Sequence, residues 1–118
     1  MFDEVTTVNL LYDFYGNLLT KRQGQVMNLY YEENLSLSEI ADEFGISRQA
    51  VHDALKNAEK ALRGYEEKLG IIKRFEETQK AVLKIDGIIN QMANDKKMPD
   101  EFKEQILKVK EIIDNINE

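Results

Sequence analysis

Apolar side chains recur at spacings of three and four residues along the chain, which is the period of an amphipathic α-helix. There is one proline, Pro99, and the six glycines stand singly, so the close turn signals that bound short strands are missing. The pattern therefore predicts an all-α protein. A first helix should end near Gly16 or Leu19 and bury a face made of Val5, Val8, Leu11, Tyr12, Tyr15 and Leu18.

Two capping patterns mark the next helix starts. Thr20 is followed three residues later by Gln23, and Ser36 by Glu39. In each pair, the hydroxyl and the longer side chain can satisfy each other's backbone N–H groups. We predict a second helix that stops in the polar residues 32–34, and a short third helix. The inner face of the third helix should be Leu37, Ile40, Ala41 and Phe44.

The third and fourth helices are predicted to form a helix-turn-helix motif over about residues 36–63. Gly45 suits the left-handed conformation that often ends a helix, and Ser47 caps the fourth helix two residues later. Helices joined by so short a turn cross steeply, and the small Ala41 suits their closest approach. The first turns of the fourth helix then project, as entry into the major groove requires. Its buried stripe is Val51, Leu55, Ala58 and Leu62.

From residue 65 onward, two longer apolar repeats predict a C-terminal antiparallel helical hairpin of residues 65–118 that follows a helix-turn-helix domain of residues 1–64. Pro99 and Asp100 suit the first turn of the last helix, and Gly64 and Gly70 weaken the junction between the domains. The predicted buried stripes are Phe75, Thr78, Val82, Ile85, Ile89 and Met92, then Phe102, Ile106, Val109, Ile113 and Ile116.

Four isoleucines of the tail lie off these stripes and widen the apolar face: Ile71, Ile72, Ile88 and Ile112. The surplus predicts a homodimer interface or a docking surface within residues 65–118.

Composition excludes several kinds of chemistry. The chain has no cysteine and one histidine, so we expect no disulfide, metal site or cofactor. Neither a nucleophile with its base nor a phosphate-binding glycine loop is visible, and we therefore expect a protein that is not an enzyme. Acidic residues near the start and the lack of a run of about 20 apolar residues predict a cytoplasmic protein without a membrane span.

The charge distribution limits any nucleic-acid surface to a local patch. The net charge is −6, and residues 1–64 hold six basic and ten acidic side chains. On the projecting face of the fourth helix, arginine suits guanine, glutamine suits adenine and lysine suits phosphate, while the N–H groups beyond Ser47 suit another phosphate. The candidate nucleic-acid-binding residues are Lys21, Arg22, Ser47, Arg48, Gln49, His52, Lys56 and Lys60.

Residues 19–62, LTKRQGQVMNLYYEENLSLSEIADEFGISRQAVHDALKNAEKAL, resemble region four of bacterial sigma factors. Lys21 and Arg22 match the place where that module rests on the DNA backbone. With the aromatic first helix and the continuation RGYEEKLGIIKRF, the whole chain resembles the YlxM family of small proteins encoded beside signal recognition particle genes. The resemblance implies a DNA-binding regulator, with RNA as an alternative ligand, linked to the signal recognition particle pathway.

Other interpretations remain open. His52 and Asp53 stand where the sigma helix tends to be more basic or amide-bearing, and Asp42, Glu43 and Glu59 add negative charge nearby. These charges favour an alternative in which the motif is only a scaffold. The chain is then an accessory protein that docks on signal recognition particle protein or RNA through its helical surfaces. The aromatic group Tyr12, Phe14, Tyr15, Tyr30 and Tyr31 is either core or a surface for stacking RNA bases.

Overall fold

The computed structural model describes residues 4–116, and no strand occurs within that range. Two compact units divide the chain, Met1–Ile72 and Lys73–Glu118. The prediction of an all-α fold with a helix-turn-helix is confirmed, and two further helices follow the motif. The helices are α1 Glu4–Tyr15, α2 Lys21–Met27, α3 Leu37–Phe44, α4 Arg48–Leu69, α5 Ile71–Ala93 and α6 Asp100–Ile116.

The first helix ends where it was expected, but its buried face is narrower. Val8, Leu11 and Tyr15 are buried, whereas Val5 and Leu18 are 58% and 54% exposed. The prediction that these last two residues are buried is wrong. Val5 lies in the first turn of α1, and Leu18 lies in the 3-10 turn that follows it, where the period of three shifts side chains off the α-helical stripe.

Both predicted capping patterns are present. Thr20 Oγ1 accepts from the Gln23 N–H at 3.2 Å, and Gln23 Oε1 accepts from the Thr20 N–H at 3.1 Å. Ser36 and Glu39 form the same pair of bonds at 3.1 and 3.0 Å. The hydrogen bond from the Ser36 backbone holds the pKa of Glu39 below its ordinary value. These bonds fix the starts of α2 and α3.

The end of the second helix was not predicted in detail. After Met27 the chain continues as a π-helical segment, Asn28–Glu32, and Asn34 then adopts a left-handed conformation with φ 57°. Asparagine tolerates this region because its short side chain can bond locally. The wider turn carries the chain from α2 to the Ser36 cap.

The turn between α3 and α4 has the predicted geometry. Gly45 is left-handed, with φ 65°, and the Ile46 N–H donates to the Ala41 carbonyl at 3.0 Å. Ser47 Oγ then accepts from the Ala50 N–H at 3.0 Å, which begins α4. Helix α4 contacts α1, α2 and α3, so it is the central helix of the first unit. All four predicted stripe residues are buried: Val51, Leu55, Ala58 and Leu62.

Helix α4 is longer than the motif and passes through Gly64 without interruption, to end at the left-handed Gly70. The Tyr15 hydroxyl donates to Glu66 Oε1 at 2.5 Å and accepts from the Ile71 N–H at 3.2 Å. Glu66 Oε1 also accepts from the Ile72 N–H at 2.9 Å. Burial, followed by the bond to Glu66, raises the pKa of Tyr15. This network ties the start of α5 to α1.

In the second unit, α5 and α6 are joined by residues 94–99, and Val82, Ile106 and Ile113 are buried. Ile72 belongs to the core of the first unit, so its assignment to the surplus apolar face is wrong. The stripes are also only partly buried, since a helix pair covers one side of each member. Predicted stripe residues that are exposed instead are Phe75, Thr78, Ile85, Met92, Phe102, Val109 and Ile116.

Candidate nucleic-acid interface

The first turns of α4 are buried on one side and exposed on the other. Val51 is fully buried, whereas Arg48, Gln49 and His52 are exposed. Ser47 uses its hydroxyl to cap Ala50, and the N–H groups of Arg48 and Gln49 are those that a helix leaves without intrahelical partners. They therefore suit an anion at the helix start.

Three predicted base-reading residues lie around one shallow surface depression. Arg48, Gln49 and His52 line it together with Leu37 from the first turn of α3. A guanidinium, an amide, an imidazole and an apolar side chain at one place match the mixed donor, acceptor and methyl pattern of major-groove base edges. Leu37 was missed as a surface residue because its spacing is that of a core position, and it is half-buried.

Asp53 lies among these residues and was not predicted to organise them. The Gln49 side-chain N–H₂ donates to Asp53 Oδ1 at 3.0 Å, and His52 Nδ1 lies 3.6 Å from the same oxygen. Gln49 keeps its carbonyl oxygen and a second N–H for another partner. The carboxylate thus orients Gln49, and it also places negative charge on the exposed surface.

A basic stripe continues along α4 beyond its first turns. Lys56 and Lys60 line a second depression with Arg63, and all three side chains are exposed. At 1.5 Å per residue, the stripe is about 10 Å long. Arg63 was missed, although its spacing of seven from Lys56 was a usable signal. The acidic Glu59 and Glu67 line the same depression, and Glu59 accepts a hydrogen bond from Tyr31.

The two remaining candidates lie on α2. Lys21 is the first residue of that helix and is exposed. The Arg22 guanidinium lies 4.5 Å from the centre of the Phe44 ring, in a cation–π contact that links the start of α2 to the end of α3. The structure thus places six of the eight predicted residues on α4 or its cap, and two on α2.

The aromatic group is mainly structural. Tyr15 is buried, and Tyr12 and Tyr31 are half-buried against the core of the first unit. Phe14 and Tyr30 lie at its margin, 36% and 38% exposed. The core interpretation thus holds for three of the five residues, and a stacking role is left to the other two.

A short helix, a left-handed glycine turn and a second helix with exposed polar first turns define a helix-turn-helix protein. Over residues 2–118 the chain matches the UPF0122 family, described as "Putative helix-turn-helix protein, YlxM / p13 like". The chain belongs to this family, which confirms the resemblance to YlxM proteins.

Curated relatives carry the same family name. A UPF0122 protein of Desulforamulus reducens is 47% identical over 87 residues, or 74% of each chain. A UPF0122 protein of Bacillus cereus strain AH187 is 47% identical over 91 residues, which are 77% of this chain and 83% of the relative. Within residues 4–116, no helix is both long and apolar enough to cross a membrane.

Proposed function

We propose that the protein is a cytoplasmic, non-enzymatic regulator that binds DNA by placing the start of α4 in the major groove. The observation that carries the proposal is the arrangement of Arg48, Gln49 and His52 around one exposed depression, on a helix whose other side is buried. A recognition helix needs this combination, because base edges must be reached by side chains that the core does not occupy.

Each candidate residue has a chemical role in the proposal. Arg48 donates two hydrogen bonds to a guanine, and Gln49 donates one and accepts one from an adenine. The basic stripe of Lys56, Lys60 and Arg63 contacts phosphates, as do Lys21 and Arg22 on α2 and the N–H groups that follow Ser47. Phosphate contacts fix the register, and base contacts select the sequence.

The pathway and the partner are further parts of the proposal. The resemblance to YlxM proteins supports a role for the regulator in the signal recognition particle pathway. A specific observation, the Asp53 carboxylate within the base-reading surface, favours a second candidate function. In it, the motif is a scaffold, and the protein docks on signal recognition particle protein or RNA as an accessory.

The experiment is recovery of the tagged intact protein from cells, with sequencing of bound nucleic acid and identification of bound proteins in one sample. The Arg48→Ala/Gln49→Ala variant is compared with Lys84→Ala/Gln91→Ala, which removes one cation and one amide from the exposed surface of α5. We expect enriched DNA fragments that the first variant loses and the second keeps. Equal recovery of DNA by both variants, or recovery of RNA or protein without DNA, would overturn the proposal.

A further inference from the structure

The second unit carries large apolar side chains on its surface in two strips. The strip on α5 includes Ile85, Ile88 and Met92, and the strip on α6 includes Phe102, Val109 and Ile112. Contiguous exposed apolar surface of this kind marks a site of interaction, whereas isolated exposed apolar residues are ordinary. We define the hairpin face as Ala81, Ile85, Ile88, Met92, Phe102, Val109, Ile112 and Ile116, with Gln105 as the one polar side chain within the α6 strip.

Both strips lie on the same side of the hairpin. On α5, Val82 is buried and Ile89, seven residues later, is half-buried. On α6, Ile106 and Ile113 have the same spacing and are both buried. These four residues indicate the sides of the two helices that face each other. At about 100° per residue, each strip is rotated roughly 65–80° from that facing side, in the same sense along its own helix. Because the helices run in opposite directions, an equal sense of rotation brings both strips to one side.

The opposite side of the hairpin is different in character. Leu83 and Leu107 are each rotated about 110° the other way and stand there singly, 64% and 60% exposed. Their exposed neighbours on that side include four charged residues: Lys80, Glu104, Glu111 and Asp114. The hairpin is therefore amphipathic as a unit, with one apolar and one polar side.

We propose that the hairpin face packs against the same face of a second copy of this chain, so that the two hairpins form a four-helix bundle. A bundle gives each helix a second buried side, which a lone pair cannot provide. The proposal goes beyond nucleic-acid binding and does not depend on it.

The area of the face matches the needs of a dimer. Seven large side chains of the face are 38–60% exposed. A carbon atom contributes about 32 Å² of accessible surface, so a four-carbon side chain that is half exposed presents ~65 Å² of apolar area. The seven side chains together present roughly 450 Å². Apolar atoms make up about 65% of a homodimer interface. An apolar area of roughly 450 Å² therefore corresponds to a total interface of about 700 Å² per copy. A standard complex buries about 800 Å² per partner.

Charge selects which helices meet. Residues 73–118 hold nine basic and ten acidic side chains, so two copies do not repel strongly. Helix α5 holds four basic and three acidic residues, a net charge of +1, and α6 holds three basic and five acidic, a net charge of −2. Packing α5 of one copy against α6 of the other therefore pairs opposite charges, whereas α5 on α5 and α6 on α6 pair like charges.

Sedimentation equilibrium of the intact chain tests the proposal. We expect a dimer at micromolar concentration that Ile88→Glu or Ile112→Glu converts to a monomer. Leu83→Glu and Leu107→Glu are matched controls, since they place the same charge at equally exposed positions on the polar side of the same helices, and they should leave the dimer intact. Circular dichroism checks that all four variants stay helical.

A mixing experiment tests the pairing of the helices. Equimolar Ile88→Glu and Ile112→Lys variants, each monomeric alone, should form a heterodimer because they place opposite charges on the two helices that pair across the interface. If the Ile88→Glu variant formed a heterodimer with an Ile88→Lys variant instead, α5 would pair with α5, and the proposed pairing of α5 with α6 would be overturned. A wild-type chain that stays monomeric at 100-fold higher concentration, or a dimer that Leu83→Glu dissociates as readily as Ile88→Glu, would overturn the proposal as a whole.

Discussion

At the scale of single residues, Asp53 holds the central position in the candidate interface because it bonds Gln49 and lies beside His52. Its charge opposes phosphate, and its hydrogen bond orients the amide. We expect Asp53→Asn to raise the affinity for DNA of arbitrary sequence about 3- to 10-fold, since one repulsive charge near phosphate is worth about 1 kcal/mol. Fluorescence anisotropy with duplexes of random sequence measures this.

Asp114→Asn removes the same charge from α6 and serves as the control, with no expected change. Asp53→Ala should in addition weaken discrimination between matched and mismatched sites, because Gln49 then loses its orienting partner. Unchanged affinity in Asp53→Asn would show that the α4 start does not approach phosphate.

A substitution at Gly45 tests the assigned conformation of the turn between α3 and α4. Its φ of 65° lies in the left-handed region, where a Cβ costs about 1–2 kcal/mol. We expect Gly45→Ala to lower the free energy of unfolding by about that amount in urea denaturation. Gly64 lies inside α4, and a Cβ added there would meet no atom within 4 Å apart from its chain neighbours and the helix's own backbone, so Gly64→Ala should raise stability by about 0.5–1 kcal/mol. The same sign of change in both variants would contradict the assigned turn.

At the scale of the elements, local signals predicted the helix starts well. The Thr20 and Ser36 capping boxes and the Gly45 turn each involve residues within a few positions of one another, so the sequence displays them directly. The hydrogen bond from Tyr15 to Glu66 joins α1 to the last turns of α4 instead, and it links residues that are 51 positions apart. Such a tertiary bond leaves no mark in the periodicity.

Periodicity also fails to show which residues of α5 and α6 are buried, because that depends on tertiary packing. Apolar spacing gave the width of the apolar surface but not the part of it that each helix buries, so Ile85 and Val109 were assigned to a buried stripe. In the candidate site, helical spacing identified the exposed positions of α4. It could not predict the Asp53 hydrogen bond, because side-chain geometry on an exposed surface is not encoded in spacing.

The network of Tyr15 and Glu66 has a consequence for stability in alkali. The folded pKa of Tyr15 is raised above 10.0, so the folded state holds this proton more tightly than the unfolded chain does. The associated stability is fully present below about pH 10 and is lost as pH rises through the raised pKa. We expect thermal melts of Tyr15→Phe to show a lower melting temperature at neutral pH and a weaker decline above pH 10.

Tyr30→Phe, at an exposed tyrosine outside the network, is the control for that experiment and should retain the alkaline decline of the wild type. An equally steep decline in Tyr15→Phe would contradict the assignment of the proton to Tyr15.

At the scale of the whole molecule, association through the hairpin face would give one particle two α4 starts. Two linked contacts bind a duplex with two sites more tightly than one contact does. We therefore expect Ile88→Glu to weaken binding to such a duplex about 10-fold or more, and to leave binding to a single site unchanged. Leu83→Glu should change neither, and equal losses on both duplexes would contradict the link between association and binding.

The central claim is that the exposed face of α4 contacts nucleic acid. Because the net charge is −6, binding to phosphates must depend on a local basic patch, and the salt dependence of binding tests this most directly. Each phosphate contact contributes about 0.9 to the slope of log K against log salt concentration. We predict that Lys56→Ala lowers that slope by about 1, while Lys80→Ala, an equal loss of charge on α5, leaves it unchanged. Identical slopes for Lys56→Ala and the wild type, or no binding by the wild type at low salt, would contradict the account.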